Sequence, residues 1–372
     1  MQGKQKFEFA AQTGYNKQGE KEMNIQQELC AWYLRSHRDL PFRRSRDPYA
    51  IWVSEVMAQQ TRIESMLPYY QRWMAKWPDV ASLAKAPLEE VLHLWQGLGY
   101  YNRARKLHEG AKVVCQQFHG QLPVDVQQLR TIPGIGAYTA GAIASIAYGQ
   151  RTPAVDGNVL RVTSRLCQIE EEITRKSTVD NVSRQVWTWM EGSDPAVFTQ
   201  ALMELGALVC TPKNPQCLLC PLRSACRCAQ DGTWADYPVK KKAKPPQRRQ
   251  LYTYWIENDR RQILLSQDWS DGLMKGLYRL PQTEIALRQT PQLSYQGHRR
   301  HVFSHRVWEM ECYRGQLQSI VLEDCFWVNK EELAHLPLVS AHRKWLMEAG
   351  GMEKSDAETE KIRYDIDKDQ EE

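Results

Sequence analysis

No stretch of this 372-residue sequence is apolar over the ~20 residues that a helix needs to cross a bilayer, so no membrane partner is expected. The first residues carry no apolar core of the kind a signal peptide has, which makes a cytoplasmic, nucleoid-associated protein the expectation. A secreted disulfide framework is also missing. Of ten cysteines, five (Cys30, Cys115, Cys167, Cys312, Cys325) stand singly in apolar contexts and are expected to pack in cores; the rest crowd between Cys210 and Cys228. No internal repeat is found. Negative charge dominates only at the end: residues 351–372 carry nine acids and four bases, a net of −5 against +5 for the whole chain, leaving about +10 on the body. A basic body with an acidic tail is compatible with a nucleic-acid partner.

With 42% hydrophobic and 25% charged residues, the composition is that of an ordinary globular protein of two or three domains. Residues 1–24 are polar and aperiodic and are expected to form a disordered tail. Residues 25–235 are expected to be helical, in two lobes with a cleft. Apolar residues recur at three- and four-residue spacing in Tyr49 to Tyr69, Leu88 to Trp95, Ala104 to Phe118 and Val182 to Met190. The segment 236–250 (DYPVKKKAKPPQRRQ) reads as an extended basic linker. From Leu251 the period changes. LYTYWI, QILLS, HVFSHRVWEMECY and IVLEDCFWV are strand-like, and helical stretches near Lys330 to His335 and Ala341 to Ala349 complete a smaller α+β domain over 251–349. Residues 350–372 form the acidic tail.

Three groups of residues carry chemistry. In TIPGIGAYTAGAIASIAYGQRTPAVDGNV (131–159), Gly134 and Gly136 remove Cβ atoms and allow positive φ, so backbone can approach a ligand. A small-residue helix over Tyr138 to Tyr148 then aims free N–H groups at the hairpin, which suits a phosphate. Asp156 interrupts an apolar run and suits the N-cap of a helix from Asn158 to Leu166. In the expected helix YAIWVSEVMAQQTRI (49–63), Glu55 stands among Ile51, Trp52, Val56 and Met57. A carboxyl in apolar surroundings has a raised pKa and can act as a general acid; a solvent-facing glutamate on an amphipathic helix is the other reading. By analogy with sugar hydrolases, Glu55 and Asp156 could supply a pair of carboxyls, one to protonate a leaving group and one to stabilise a cation. Finally, Cys210, Cys217, Cys220 and Cys226 are spaced C-x6-C-x2-C-x5-C, which implies a soft metal site. Zinc usually takes two short-spaced pairs, and thiolates are also the ligands of iron–sulfur clusters.

The hairpin followed by Val155-Asp156-Gly157-Asn158 resembles the helix-hairpin-helix base-excision DNA glycosylases. Ser54-Glu55-Val56-Met57 with Gln59-Gln60-Thr61 resembles the catalytic segment of the MutY-type adenine glycosylases. The cysteine spacing matches the [4Fe-4S] loop of endonuclease-III-like and MutY-like members, and residues 250–348 resemble the MutY C-terminal domain, which has the Nudix fold. The resemblance covers about residues 24–348. Many members have Trp where Leu40-Pro41-Phe42 has Phe42, a change that keeps an aromatic.

The resemblance implies a monofunctional enzyme that removes adenine opposite 8-oxoguanine or guanine in double-stranded DNA. Glu55 would be the acid at adenine N7 and Asp156 the partner at the sugar, with Asn158 close by and Arg43 orienting the glutamate. Tyr138 occupies the position at which strand-cleaving members carry a Schiff-base lysine, so no lyase step is expected. Gln60 and Tyr100 match intercalating residues, which lower the cost of flipping a base, roughly a few kcal/mol. Gly134 and Gly136 would approach the DNA backbone, and Phe303-Ser304-His305 matches the loop that reads 8-oxoguanine. The segment GLMKGLYRLPQTE after Asp271 lacks the acidic helix of Nudix hydrolases, so no diphosphohydrolase activity is expected. A [4Fe-4S] cluster is the implied cofactor and a monomer the implied state. A thymine or uracil mismatch glycosylase and a non-catalytic lesion-binding protein are the alternatives.

Overall fold

The structure, a computed structural model, describes residues 24–241, 245–267, 276–287, 292–303, 306–317 and 324–351. Its helices are α1 (Ile25–Ser36), α2 (Pro48–Ala58), α3 (Ile63–Lys76), α4 (Val80–Lys85), α5 (Leu88–Leu94), α6 (Asn102–Gln117), α7 (Val126–Leu129), α8 (Ala137–Ala142), α9 (Gly157–Cys167), α10 (Lys176–Trp189), α11 (Pro195–Leu208), α12 (Arg227–Asp231) and α13 (Ser340–Glu348). The strands are β1 (Gln247–Glu257), β2 (Gln262–Ser266), β3 (Gln282–Thr283), β4 (Leu293–Val302), β5 (Arg306–Gln316) and β6 (Cys325–Asn329). A helical region is thus followed by a smaller sheet-containing one. The chain forms two compact units. The described residues up to Gln60, with 79–81 and 110–241, make the first; 61–78, 82–109 and the described residues from 245 on make the second.

In the first unit, α1, α9, α10 and α11 share a core. Leu29, Val159, Val162, Val186, Phe198, Leu202 and Leu205 all lie within it. In α9 and α10 the apolar residues recur at the spacing that puts them on one face, whereas α11 is apolar nearly all round. The helix α2 differs, because every residue from Tyr49 to Met57 is buried. Asp47 starts it by accepting from the N–H groups of Tyr49 (3.1 Å) and Ala50 (3.2 Å), and Pro48 fits the first position. The helix was expected to reach Ile63 but stops at Ala58. Gln59 leaves the helical region at ψ 113°, Gln60 turns left-handed at φ 59°, and Arg62 is extended before α3 begins.

The hairpin also departs from expectation in detail. Gly134 takes φ +83°, which only glycine adopts freely, while Ile135 N–H closes the turn onto Ile132 O at 3.0 Å. Gly136, expected to need the same freedom, is extended at φ −85°, ψ −177° as the N-cap of α8. The helix expected over 138–148 is split, with α8 passing into a π turn at Ile143–Ala147. There the Ser145 hydroxyl donates to Gly141 O at 2.7 Å, a back-bond that competes with the regular ladder, and accepts from Thr199 Oγ1 at 3.0 Å.

In the second unit the sheet runs β4-β5-β1-β2-β6, with β3 on β1. The β1–β5 pair is parallel and the others are antiparallel. Strand β1 begins at Gln247, inside the segment expected to be linker, because Gln247 to Gln250 pair in register with Arg306 to Glu309. The single strand-like run 301–313 is a hairpin of β4 and β5. One face of the sheet carries Trp255, edge-on to Trp345 of α13 at 5.8 Å; the other carries Tyr254, Ile256 and Leu264. Residues 272–275, with which the segment GLMKGLYRLPQTE begins, lie outside the described residues.

Phe198 is fully buried in the α11 core. Replacing it with Ala is expected to cost about 3–5 kcal/mol, whereas Ile285→Ser, at an 81% exposed position, should shift stability by less than about 0.5 kcal/mol. Urea unfolding of both variants checks the contrast.

Candidate active site and cysteine loop

Glu55 is on the buried helix α2, and only 9% of its surface is exposed. The Tyr138 hydroxyl, from the first turn of α8, donates a hydrogen bond to Glu55 Oε2. Burial pushes the Glu55 carboxyl up to about 7, and the charge of Asp156 adds to the rise; the Tyr138 bond and the Arg43 cation oppose it. The Tyr138 hydroxyl is itself held well above its usual range by burial and by both carboxyls, so it stays a donor.

Asp156 caps α9. Its Oδ1 accepts from Val159 N–H at 2.7 Å and its Oδ2 from Asn158 Nδ2 at 2.8 Å. Burial raises its pKa, while these bonds and the Arg161 cation pull the other way. Asp156 has more hydrogen-bond donors than Glu55 and a helix N-terminus besides, so its surroundings oppose the effect of burial more strongly than those of Glu55 do.

The expected partner of Arg43 was Glu55, but its guanidinium forks onto Glu204 of α11, Nη1 to Oε1 at 2.9 Å and Nη2 to Oε2 at 2.7 Å. Arg38 grips the same carboxylate through Nη2 at 2.8 Å and its backbone N–H at 3.0 Å. Arg43 acts on Glu55 through its charge. Burial would push Glu204 up, yet the two arginines hold it down at about 2. Glu204 was missed from the sequence, although it carries the signal that marked Glu55: a lone acid in an otherwise apolar helix.

Gln60 is exposed at its left-handed turn. In the second unit Tyr100 is 46% exposed and also left-handed, at φ 49°. Phe303 is held edge-on by His301 (4.6 Å) and Trp308 (4.8 Å); Ser304 and His305 lie outside the described residues.

Cys210, Cys217, Cys220 and Cys226 line one cavity, together with Cys228. Burial pushes the Cys220 thiol up to about 12 and the Cys226 thiol up to about 11. Among the described residues no three ligating side chains converge on a single-ion site. Four thiols lining one cavity form a soft donor set of the kind that both zinc and iron–sulfur clusters use. Arg165 of α9, almost wholly buried, braces this loop. It donates to Thr211 O (2.7 Å), Trp234 O (3.1 Å), Tyr237 O (3.0 Å) and Cys210 Sγ (3.4 Å). Arg161, one turn earlier, joins Cys210 O (2.8 Å) to Asn158 Oδ1 (2.8 Å). Neither arginine was singled out from the sequence, where two cations four residues apart look like a solvent face.

A family model for the HhH-GPD superfamily of base excision DNA repair proteins matches residues 53–191, and a NUDIX domain model matches residues 252–348. The adenine DNA glycosylase of Rattus norvegicus is 35% identical over 395 residues, covering 85% of this chain and 76% of that protein. The chain belongs to the MutY-type adenine DNA glycosylases. The adenine DNA glycosylase of Mycobacterium tuberculosis is 41% identical over 228 residues, covering 60% of this chain and 72% of that protein. Among solved structures, a thermostable thymine-DNA glycosylase superposes with a TM-score of 0.51 at 25% identity, over 56% of this chain and 95% of that one.

The two buried carboxyls should leave opposite marks on stability. Glu55 is raised from 4.5 to about 7, so the folded state binds the extra proton in that window and stability falls as pH rises through it. Glu55→Gln should therefore stabilise by on the order of 3 kcal/mol near pH 8 and by little near pH 4. Glu204 is lowered from 4.5 to about 2, so its contribution is full above 4.5 and is lost as pH falls towards 2. Glu204→Gln should destabilise near pH 8 by about 3–5 kcal/mol, since two arginines lose their anion. Melting curves at both pH values decide; equal pH dependence in both variants would contradict the assignment.

Proposed function

We propose that this adenine DNA glycosylase hydrolyses the N-glycosidic bond of adenine opposite 8-oxoguanine or guanine in duplex DNA and leaves the strand uncut. The observation that carries this reading is the Glu55 carboxyl, buried, raised to about 7 and hydrogen-bonded by Tyr138, with the charge of Asp156 acting on it. Protonated Glu55 donates to N7 of the adenine. The C1′–N9 bond then breaks with its electron pair going to the base, and the sugar becomes an oxocarbenium ion. Ionised Asp156, fixed by Val159 and Asn158, stabilises that cation. Water adds at C1′ and returns its proton to Glu55. Tyr138 has no amine with which to form an imine, so the reaction ends at the abasic site.

Gln60 and Tyr100 serve as the side chains that occupy the gap left by the flipped base. Both are exposed, non-glycine residues in left-handed backbone, a conformation that has to be held by its surroundings. Ser304, with His305 and Phe303, reads the oxidised guanine by resemblance to the family. The four thiols of Cys210, Cys217, Cys220 and Cys226 would hold a [4Fe-4S] cluster. When bound, the cluster would cross-link the loop after α11; Arg165 already ties that loop to α9, the helix that Asp156 caps.

End-labelled duplexes with a single A opposite 8-oxoguanine should break at A only after hot alkali. Breaks without alkali would refute the role given to Tyr138, and release of T or U alone would favour a mismatch glycosylase. The single-turnover rate should fall about tenfold per unit well above about pH 7, as Glu55 loses its proton, and fall again in acid, as Asp156 gains one. Glu55→Gln should abolish release. Ser304→Ala should cut the preference for 8-oxoguanine over guanine by up to about tenfold, the worth of one hydrogen bond. The protein as purified should contain iron and acid-labile sulfide in equal amounts.

A further inference from the structure

The loop 97–101 in the second unit is organised around one guanidinium. Gly97 takes φ +105° and Gly99 φ +70°, and Tyr100 follows at φ +49° with its ring exposed. A side chain at Gly97 would strike the Tyr69 hydroxyl at 2.1 Å, so the loop lies directly on α3. Arg103, in the first turn of α6, reaches back under this loop. Its Nη2 donates to Leu98 O and Gly99 O, both at 3.2 Å, and to Thr61 Oγ1 at 3.3 Å. The same guanidinium lies over two rings, 5.2 Å from the centroid of Trp95 and 5.6 Å from that of Tyr100. Trp95 is fully buried, and its Nε1 donates to Gly99 O at 2.9 Å. Burial pushes the Arg103 guanidinium down to about 10, against the pull of the Tyr100 hydroxyl.

We propose that Arg103 is a positioning residue for base extrusion: by binding the carbonyls of the 97–100 turn and lying over the Tyr100 ring, it holds Tyr100 in its left-handed, outward conformation. The inference rests on the intercalating role given to Tyr100. A tyrosine gains nothing by itself from a left-handed backbone, so something must hold it there. A planar cation with several donors can bind consecutive carbonyls and stack on a ring at once. An ammonium could donate to the same carbonyls but offers no flat face to lie over the Trp95 and Tyr100 rings.

The test uses the full-length protein and compares Arg103→Met, Arg103→Lys, Tyr100→Ala and the double variant Tyr100→Ala/Arg103→Met. Single-turnover excision is measured for adenine paired opposite 8-oxoguanine and for adenine opposite an abasic site, where little pairing has to be broken. Fluorescence of 2-aminopurine in the adenine position follows extrusion directly. The inference expects Arg103→Met to lower the paired-to-unpaired rate ratio at least tenfold, with the loss of the fluorescence rise. Arg103→Lys should fall similarly, because an ammonium has no planar face to lie over the Tyr100 ring, and the double variant should be no worse than Tyr100→Ala. If Tyr100→Ala lowers the ratio but Arg103→Met leaves it unchanged, or slows both substrates equally, Arg103 is a fold residue and the inference fails. If Tyr100→Ala leaves the ratio unchanged, the intercalating role itself is wrong and the inference falls with it.

Discussion

A carboxyl that must stay protonated near neutral pH needs a place from which water is excluded, and helix α2 provides it. The helix is buried from Tyr49 to Met57, which is why Glu55 carries its proton up to about 7. A cost follows from this arrangement, since the same burial opposes ionisation at physiological pH. The surrounding groups limit that cost without abolishing the effect. Tyr138 gives one hydrogen bond, and Arg43 contributes charge from a position locked by Glu204. An arginine bonded directly to Glu55 would hold its carboxyl ionised and remove the acid. Holding Arg43 on a second carboxylate keeps its field modest.

The other half of the site rests on a helix terminus. Asp156 is both cap and candidate catalytic group, and the two roles use the same bonds. The cap fixes the carboxylate, and the helix dipole favours its ionised state. From α9, Arg161 and Arg165 run on to the loop of the four cysteines, so the residues that would hold a cluster and the residue that would stabilise the sugar cation are braced by one helix. Both arginines find backbone carbonyls, and Arg165 also meets the sulfur of Cys210. Such a network carries positional information as much as stability.

How much of this could be read in advance differs by feature. Local signals were legible: Glu55 among apolar residues, Asp156 before a helix, the glycine hairpin, the cysteine spacing and the change of period near Leu251. The end of α2 was not, because Gln59-Gln60-Thr61 contains no glycine or proline, and the left-handed turn at Gln60 has no local cause in residue type. The start of β1 at Gln247 was hidden for a related reason. Arg248 and Arg249 look like linker until the parallel pairing with β5 supplies their backbone partners.

The sequence by itself determined the helical and sheet regions, the two acids, the tyrosine in place of lysine and the family, since each depends on residue type and short-range spacing. Only the tertiary structure decided that Arg43 binds Glu204 rather than Glu55. It alone placed Arg103 under the Tyr100 turn and made Arg165 the brace of the cysteine loop. Guanidinium groups are long, flexible and chemically alike. Which carboxylate or carbonyl each one finds is fixed by the packing of helices distant in sequence, and residue spacing holds no record of it.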